Sequence, residues 1–173
     1  MILALVVSLP SRAFGQGDAD AQRNERPGPQ WGISVWGLSY HIDERMEYDA
    51  INWGLGLRRY ARPDWRWLGR NEWNRLFLEA DALRNSNGGL AVPLSAGVEY
   101  EITALPAQCR LFAVGALSVA YYRKPALNRT EVKYGPVPGL AIGCGRFVTN
   151  VTVVLSPSRQ IVAAVAGSLT VVF

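Results

Sequence analysis

Gln160-Ile161-Val162-Ala163-Ala164-Val165-Ala166-Gly167-Ser168-Leu169-Thr170-Val171-Val172-Phe173 alternates over its whole length. Ile161, Ala163, Val165, Leu169, Val171 and Phe173 fall on one side of a two-residue repeat. Ser168 and Thr170 fall on the other with small apolar residues. One face suits lipid and the other a narrow lumen. Such a strand, ending on an aromatic residue, is expected to close a β-barrel of the bacterial outer membrane.

The same pattern recurs upstream. Eight strands are predicted, at about 31 to 42, 49 to 60, 74 to 84, 89 to 103, 109 to 122, 132 to 143, 146 to 156 and 161 to 173. In the second, Ile51, Trp53, Leu55 and Leu57 oppose Asn52, Gly54, Gly56 and Arg58. In the fourth, Leu90, Val92, Leu94, Ala96, Val98 and Tyr100 oppose Ala91, Pro93, Ser95, Gly97, Glu99 and Glu101. The seventh sets Phe147, Val151, Val153 and Leu155 against Asn150, Thr152 and Ser156. The fold class is therefore all-β, an eight-stranded antiparallel transmembrane barrel, with the apolar set facing lipid and the polar set the lumen.

Composition agrees. A hydrophobic fraction of 49% with mean hydropathy near zero is what alternation produces when half of each strand turns away from lipid. Met1 to Leu9 is almost wholly apolar and is followed by Ala13-Phe14-Gly15, so residues 1–15 read as a signal peptide that lacks its basic start. Nine residues fall short of the roughly 20 that a spanning helix needs. Residues 16–30, rich in Gly, Pro and charge, read as a polar periplasmic lead-in. The barrel domain then covers 31–173, in a monomer, since a closed barrel has no sheet edge that demands a partner. Sixteen of the eighteen basic residues are arginine and the formal charge is +4. Arginine's planar fork suits phosphate, so anionic lipid headgroups and ordinary solvated loop charge both account for it. No nucleic-acid partner, cofactor or metal is expected, because two cysteines and one distant histidine do not make a zinc spacing.

Orienting the strands turns Arg58, Glu79, Asp81, Glu99 and Glu101 inward. Buried charges must be paired or hydrated, which predicts an Arg58 network that fills the lumen and holds strand register. Trp31, Trp36, Trp53, Trp65, Trp67 and Trp73 read as girdle residues at the two interfaces. With both termini in the periplasm, Cys109 and Cys144 fall at the same periplasmic end on neighbouring strands. There they form either a disulfide or two free thiols.

His41, the single histidine, tops the first strand, and Arg84-Asn85-Ser86-Asn87-Gly88 tops the third. Histidine titrates near neutral pH and can take a proton from a hydroxyl, while a serine hydroxyl and an asparagine amide can orient a substrate. The same residues also read as a rim histidine of structural use and an ordinary tight turn. Pro136 and Pro138 fall near the outer end of the sixth strand, and Pro157 comes after the seventh. Proline cannot donate a ladder hydrogen bond, so that seam should be weak where a lipid chain would slip sideways. The competing reading is that these prolines end strands. Val35, Gly37, Gly54, Gly56, Ala91, Ser95, Ala164, Ala166 and Val172 are the small or apolar candidates to line an acyl cavity.

Taken together, several features resemble the outer-membrane lipid A palmitoyltransferases (PagP-type). These are Tyr40-His41, the run Trp53-Gly54-Leu55-Gly56-Leu57, Asn85-Ser86, Gly135-Pro136-Val137-Pro138, the glycines at 143 and 145, Ser156-Pro157 and Phe173. The resemblance implies transfer of an acyl chain from phospholipid to lipid A, with His41, Asn85 and Ser86 as the catalytic set and proline-marked gaps for lipid access. It also marks a departure, because an asparagine, Asn85, stands where that family has an aspartate, and an amide cannot carry the charge that would stabilise an imidazolium. The alternative is a non-catalytic small barrel with a structural, adhesive or lipid-binding role. A soluble lipocalin-like carrier would need the opposite polarity, apolar inside and polar outside.

Overall fold

The computed structural model describes residues 30–41, 51–62, 71, 73–84, 88–124, 128–154 and 164–173. Eight strands run in chain order: β1 (Gln30–His41), β2 (Ile51–Ala61), β3 (Arg75–Arg84), β4 (Leu90–Ala104), β5 (Cys109–Lys124), β6 (Arg129–Cys144), β7 (Phe147–Val154) and β8 (Ala164–Val172). Each pairs antiparallel with its neighbours, and β8 returns to β1, so the sheet is a closed barrel. Reciprocal backbone bonds between Trp31 and Phe173, at 3.2 and 2.8 Å, carry the closure to the last residue. Closure matters because an open eight-stranded sheet would leave two rows of unpaired N–H and C=O groups.

Alternation decides which side each residue takes. Leu117, Tyr134 and Trp53 stand 70%, 71% and 62% exposed on the outer wall, whereas Glu99 and Arg58 inside are 0% and 2% exposed. The predicted faces of the second, fourth, seventh and eighth strands hold for their described residues. The first strand departs. Its register slips between Trp36 and Leu38 against both β2 and β8, a bulge at Gly37 that reverses the parity of the residues beyond it. Ser34 and Trp36 therefore face inward before it and Ser39 after it, while Tyr40 lies outside. Val35, expected in the lumen, is 48% exposed on the outer wall, because its neighbour Ser34 takes the inward position.

Connections divide between two ends. The terminal end holds Gln30, Phe173 and the links β2–β3, β4–β5 and β6–β7. The last is a two-residue turn with Gly145 at φ +59°, a conformation that glycine adopts without Cβ strain. The opposite, loop end holds the links after His41, Arg84, Lys124 and Val154. Cys109 and Cys144 are directly opposed in the β5–β6 ladder and joined as a disulfide at the terminal end. The residues predicted as signal peptide and most of the lead-in lie outside the described residues, as do Trp65, Trp67, Asn85, Ser86 and Pro157.

Candidate functional site

The barrel interior is layered. At the terminal end Tyr60, Phe77, Phe112, Val114, Ala141, Val148 and Val172 form an apolar plug, with Trp73 packed against it. The β2–β3 link contributes to this floor: Asn74 Oδ1 accepts the Glu101 N–H at 2.9 Å, and the Arg110 guanidinium lies 3.8 Å from the Trp73 ring centre. Arg110 also pairs with Glu101. Trp73 is thus a cap on the core rather than a girdle residue.

Above the plug lies an ionic layer. Arg58 donates to Glu79 Oε2 at 2.6 Å and to Glu99 Oε1 at 2.9 Å, and Arg75 donates to Glu99 Oε2 at 2.6 Å. Ser34 donates to Glu79 Oε1 at 2.6 Å and lies 2.9 Å from Thr170 Oγ1. Both arginines also sit over aromatic rings, Arg58 4.4 Å from the centre of Phe77 and Arg75 3.9 Å from that of Tyr60. Each carboxylate oxygen of Glu79 and Glu99 therefore has a donor, which is the condition for burying charge at tolerable cost. The predicted Arg58 network is present and joins β1, β2, β3, β4 and β8 across the lumen.

Asp81 stands beside this layer with a different partner. Its Oδ1 accepts the Trp36 indole N–H at 2.8 Å, and a methyl group added to Gly56 would fall on its carboxylate. Trp36 is thus an interior donor, not a girdle residue. Trp31 and Trp53, outside near opposite ends of the barrel, suit the girdle. Towards the loop end the interior mixes small side chains with Tyr122, which pairs with Ala91 and has the Lys133 ammonium 5.4 Å from its ring centre. Ala91 and Ala120 are buried, Ser95 donates to Ser118 at 3.0 Å, and Asn52 donates to Ser39. His41 ends β1 opposite Ala164, and β3 ends at Arg84, so both sequence-predicted rim positions map to the loop end.

Two ladders are interrupted, each at a proline. β6 begins earlier than predicted, so Pro136 and Pro138 lie mid-strand, yet the β5–β6 ladder runs through both, opposite Leu117 and Gly115. The N–H that each proline lacks is consequently one that would point to β7. The β6–β7 ladder stops at Gly139 opposite Thr152, because the next rung would need a donor from Pro138. Among the described residues, Val137 and Pro138 have no rung to Val154 and Val153, which face them in that register. The second interruption was not predicted from sequence. Between β3 and β4 the rungs at Asp81 and Ala82 are missing, opposite Pro93 and Val92, while Pro93 stays paired to Ala120 of β5. A proline inside a strong alternation was the available signal.

No family model matches the chain, and no curated protein matches it. Among solved structures it is similar to Ail, the attachment invasion locus protein of Yersinia pestis, with 13% identity over 84% of this chain and 99% of that one and a TM-score of 0.44. A likeness at that level carries no argument about function.

Proposed function

We propose that the protein is a small bacterial outer-membrane barrel with a closed core, acting through its surfaces in a structural, adhesive or lipid-binding role rather than through a pore or an enzymatic centre. The ionic layer of Arg58, Arg75, Glu79 and Glu99 carries this reading. It lies inside the barrel above an apolar plug, and each carboxylate oxygen of Glu79 and Glu99 in it has a donor. The membrane address rests on inverted polarity: an outer wall of leucine, valine and aromatic side chains around a charged interior is stable in hydrocarbon and costly in water. Planar-bilayer recording on the reconstituted chain tests the closed core, with no conductance steps expected. Resolved channel openings would overturn it. Recovery of the folded chain in a soluble fraction without detergent would overturn the membrane address and revive a soluble carrier.

A second reading, acyl transfer from phospholipid to lipid A, is favoured by one observation, the end of the β6–β7 ladder at Pro138, near the loop end where Ala91 and Ala120 lie inside. Here the chain slips sideways at Pro136 and Pro138. A lipid A hydroxyl loses its proton to His41 and attacks the ester carbonyl with Ser86 and Asn85 assisting; the ester C–O bond breaks and the lysophospholipid leaves, its alkoxide taking that proton back from His41. Lipid A mass from a host lacking its own outer-membrane acyltransferase separates the readings. A gain of one acyl chain that vanishes with His41→Ala establishes transfer, and an unchanged profile with a folded barrel removes it.

A further inference from the structure

The outer wall carries a concavity separate from the ionic layer and from the loop-end rim. A groove of about 690 Å³ crosses β2 to β5, lined by Arg59, Leu78, Ala96, Val98, Gly115 and Leu117 among others. Its shape derives from sequence. Arg59, Leu78, Ala96 and Leu117 lie in one row of directly paired residues, and Val98 and Gly115 in an adjacent outward-facing row. Ala96 and Gly115 project little or nothing, so the leucines beside them stand as walls around a trough. Four strands at about 4.8 Å spacing make that trough roughly 14 Å long.

The two ends of the groove differ. Arg59 lies two residues from the end of β2 at the barrel's terminal end, and Leu117 lies eight residues into β5. Strand tilt carries a paired row obliquely up the wall, so the groove climbs from the terminal-end interface towards the middle of the hydrophobic band. Among the described residues Arg59 makes no ion pair, and its guanidinium lies 5.4 Å from the centre of the exposed Trp31 ring. Trp31 fixes the level of the interface, where indole rings settle among headgroups. A cation at that level with an apolar trough leading inward has the charge and shape of a phospholipid's phosphate and one acyl chain.

We propose that this groove is a binding site for one glycerophospholipid of the terminal-end leaflet, its phosphate on Arg59 and an acyl chain lying across Ala96 and Gly115. The proposal rests on the membrane-spanning reading and is independent of catalysis. The full chain is reconstituted in vesicles of phosphatidylethanolamine and phosphatidylglycerol, extracted in mild detergent, and assayed by native mass spectrometry for retained phospholipid. The wild type should keep one phospholipid through detergent exchange. Ala96→Leu, which fills the trough, and Arg59→Gln, which removes the phosphate partner, should each lower retention about tenfold, with heat-modifiable gel mobility showing that both variants fold. Equal retention in all three, or none in a wild type that has inserted, overturns the groove alone. Failure of the wild type to insert overturns both the groove and the membrane reading.

Discussion

Arg58 holds two carboxylates and lies over the rings of Tyr60 and Phe77 inside a barrel, so its removal strands Glu79 and Glu99 without their shared cation. Breaking a buried pair in this way costs about 3–5 kcal/mol. Arg58→Ala should show that loss in urea unfolding from lipid vesicles. The double variant Arg58→Ala, Glu79→Ala should be less destabilised than the two single losses added together, because the second change removes a charge already orphaned. Additive losses would mean that the two residues do not act as a pair. Gly56 tests the neighbouring site. Gly56→Ala pushes a methyl into the space of the Asp81 carboxylate and displaces its bond from Trp36, with an expected cost of about 1–3 kcal/mol by the same assay.

β6 is where a local residue choice changes the sheet. Pro138→Ala restores a donor facing β7, and the β6–β7 ladder should gain a rung opposite Val153. Hydrogen exchange should then find the new alanine amide protected, and a fast-exchanging amide would show that something besides the proline ends the ladder. At the far end of the β5–β6 hairpin, Lys124 donates to Glu131 at 2.9 Å and ties the two strands together. At the near end the Cys109–Cys144 disulfide closes a separation of 35 residues. Loop-closure entropy puts its removal in Cys109→Ser, Cys144→Ser at about 3–4 kcal/mol of unfolding free energy. Equal stability of reduced and oxidised protein would show that the loop closure contributes nothing.

The barrel as a whole turns the usual arrangement of a protein inside out, and much of that was legible in the order of the residues. A period of two sorts residues onto two faces, so the outward leucines, the inward charges and the strand count came from alternation alone. The strongest signal for the interior was the presence of Arg58, Glu79, Asp81 and Glu99 on otherwise alternating strands, because charges at such positions demand partners. Their actual pairing was not legible. Glu79 meets Ser34 of β1 and Glu99 meets Arg75 of β3 only because of the ladder register and the curvature that brings distant strands across one lumen. The cysteines show the same limit: alternation and topology brought them to one end, and only the opposed rung at Cys109 and Cys144 made the bond.

Sequence by itself determined the class of fold, the face of most residues and the need for a buried ionic network, since each depends on local period and on the cost of unpaired charge. Tertiary structure alone decided the rest. The bulge at Gly37 reverses parity in β1, and no pattern within that strand announces it, because it answers to the registers of β2 and β8 at once. The prolines at 93 and 138 open ladders on sides that depend on which neighbour already uses the strand's other donors. The outer groove is likewise a property of four strands in register, where small residues distant in sequence come to lie side by side.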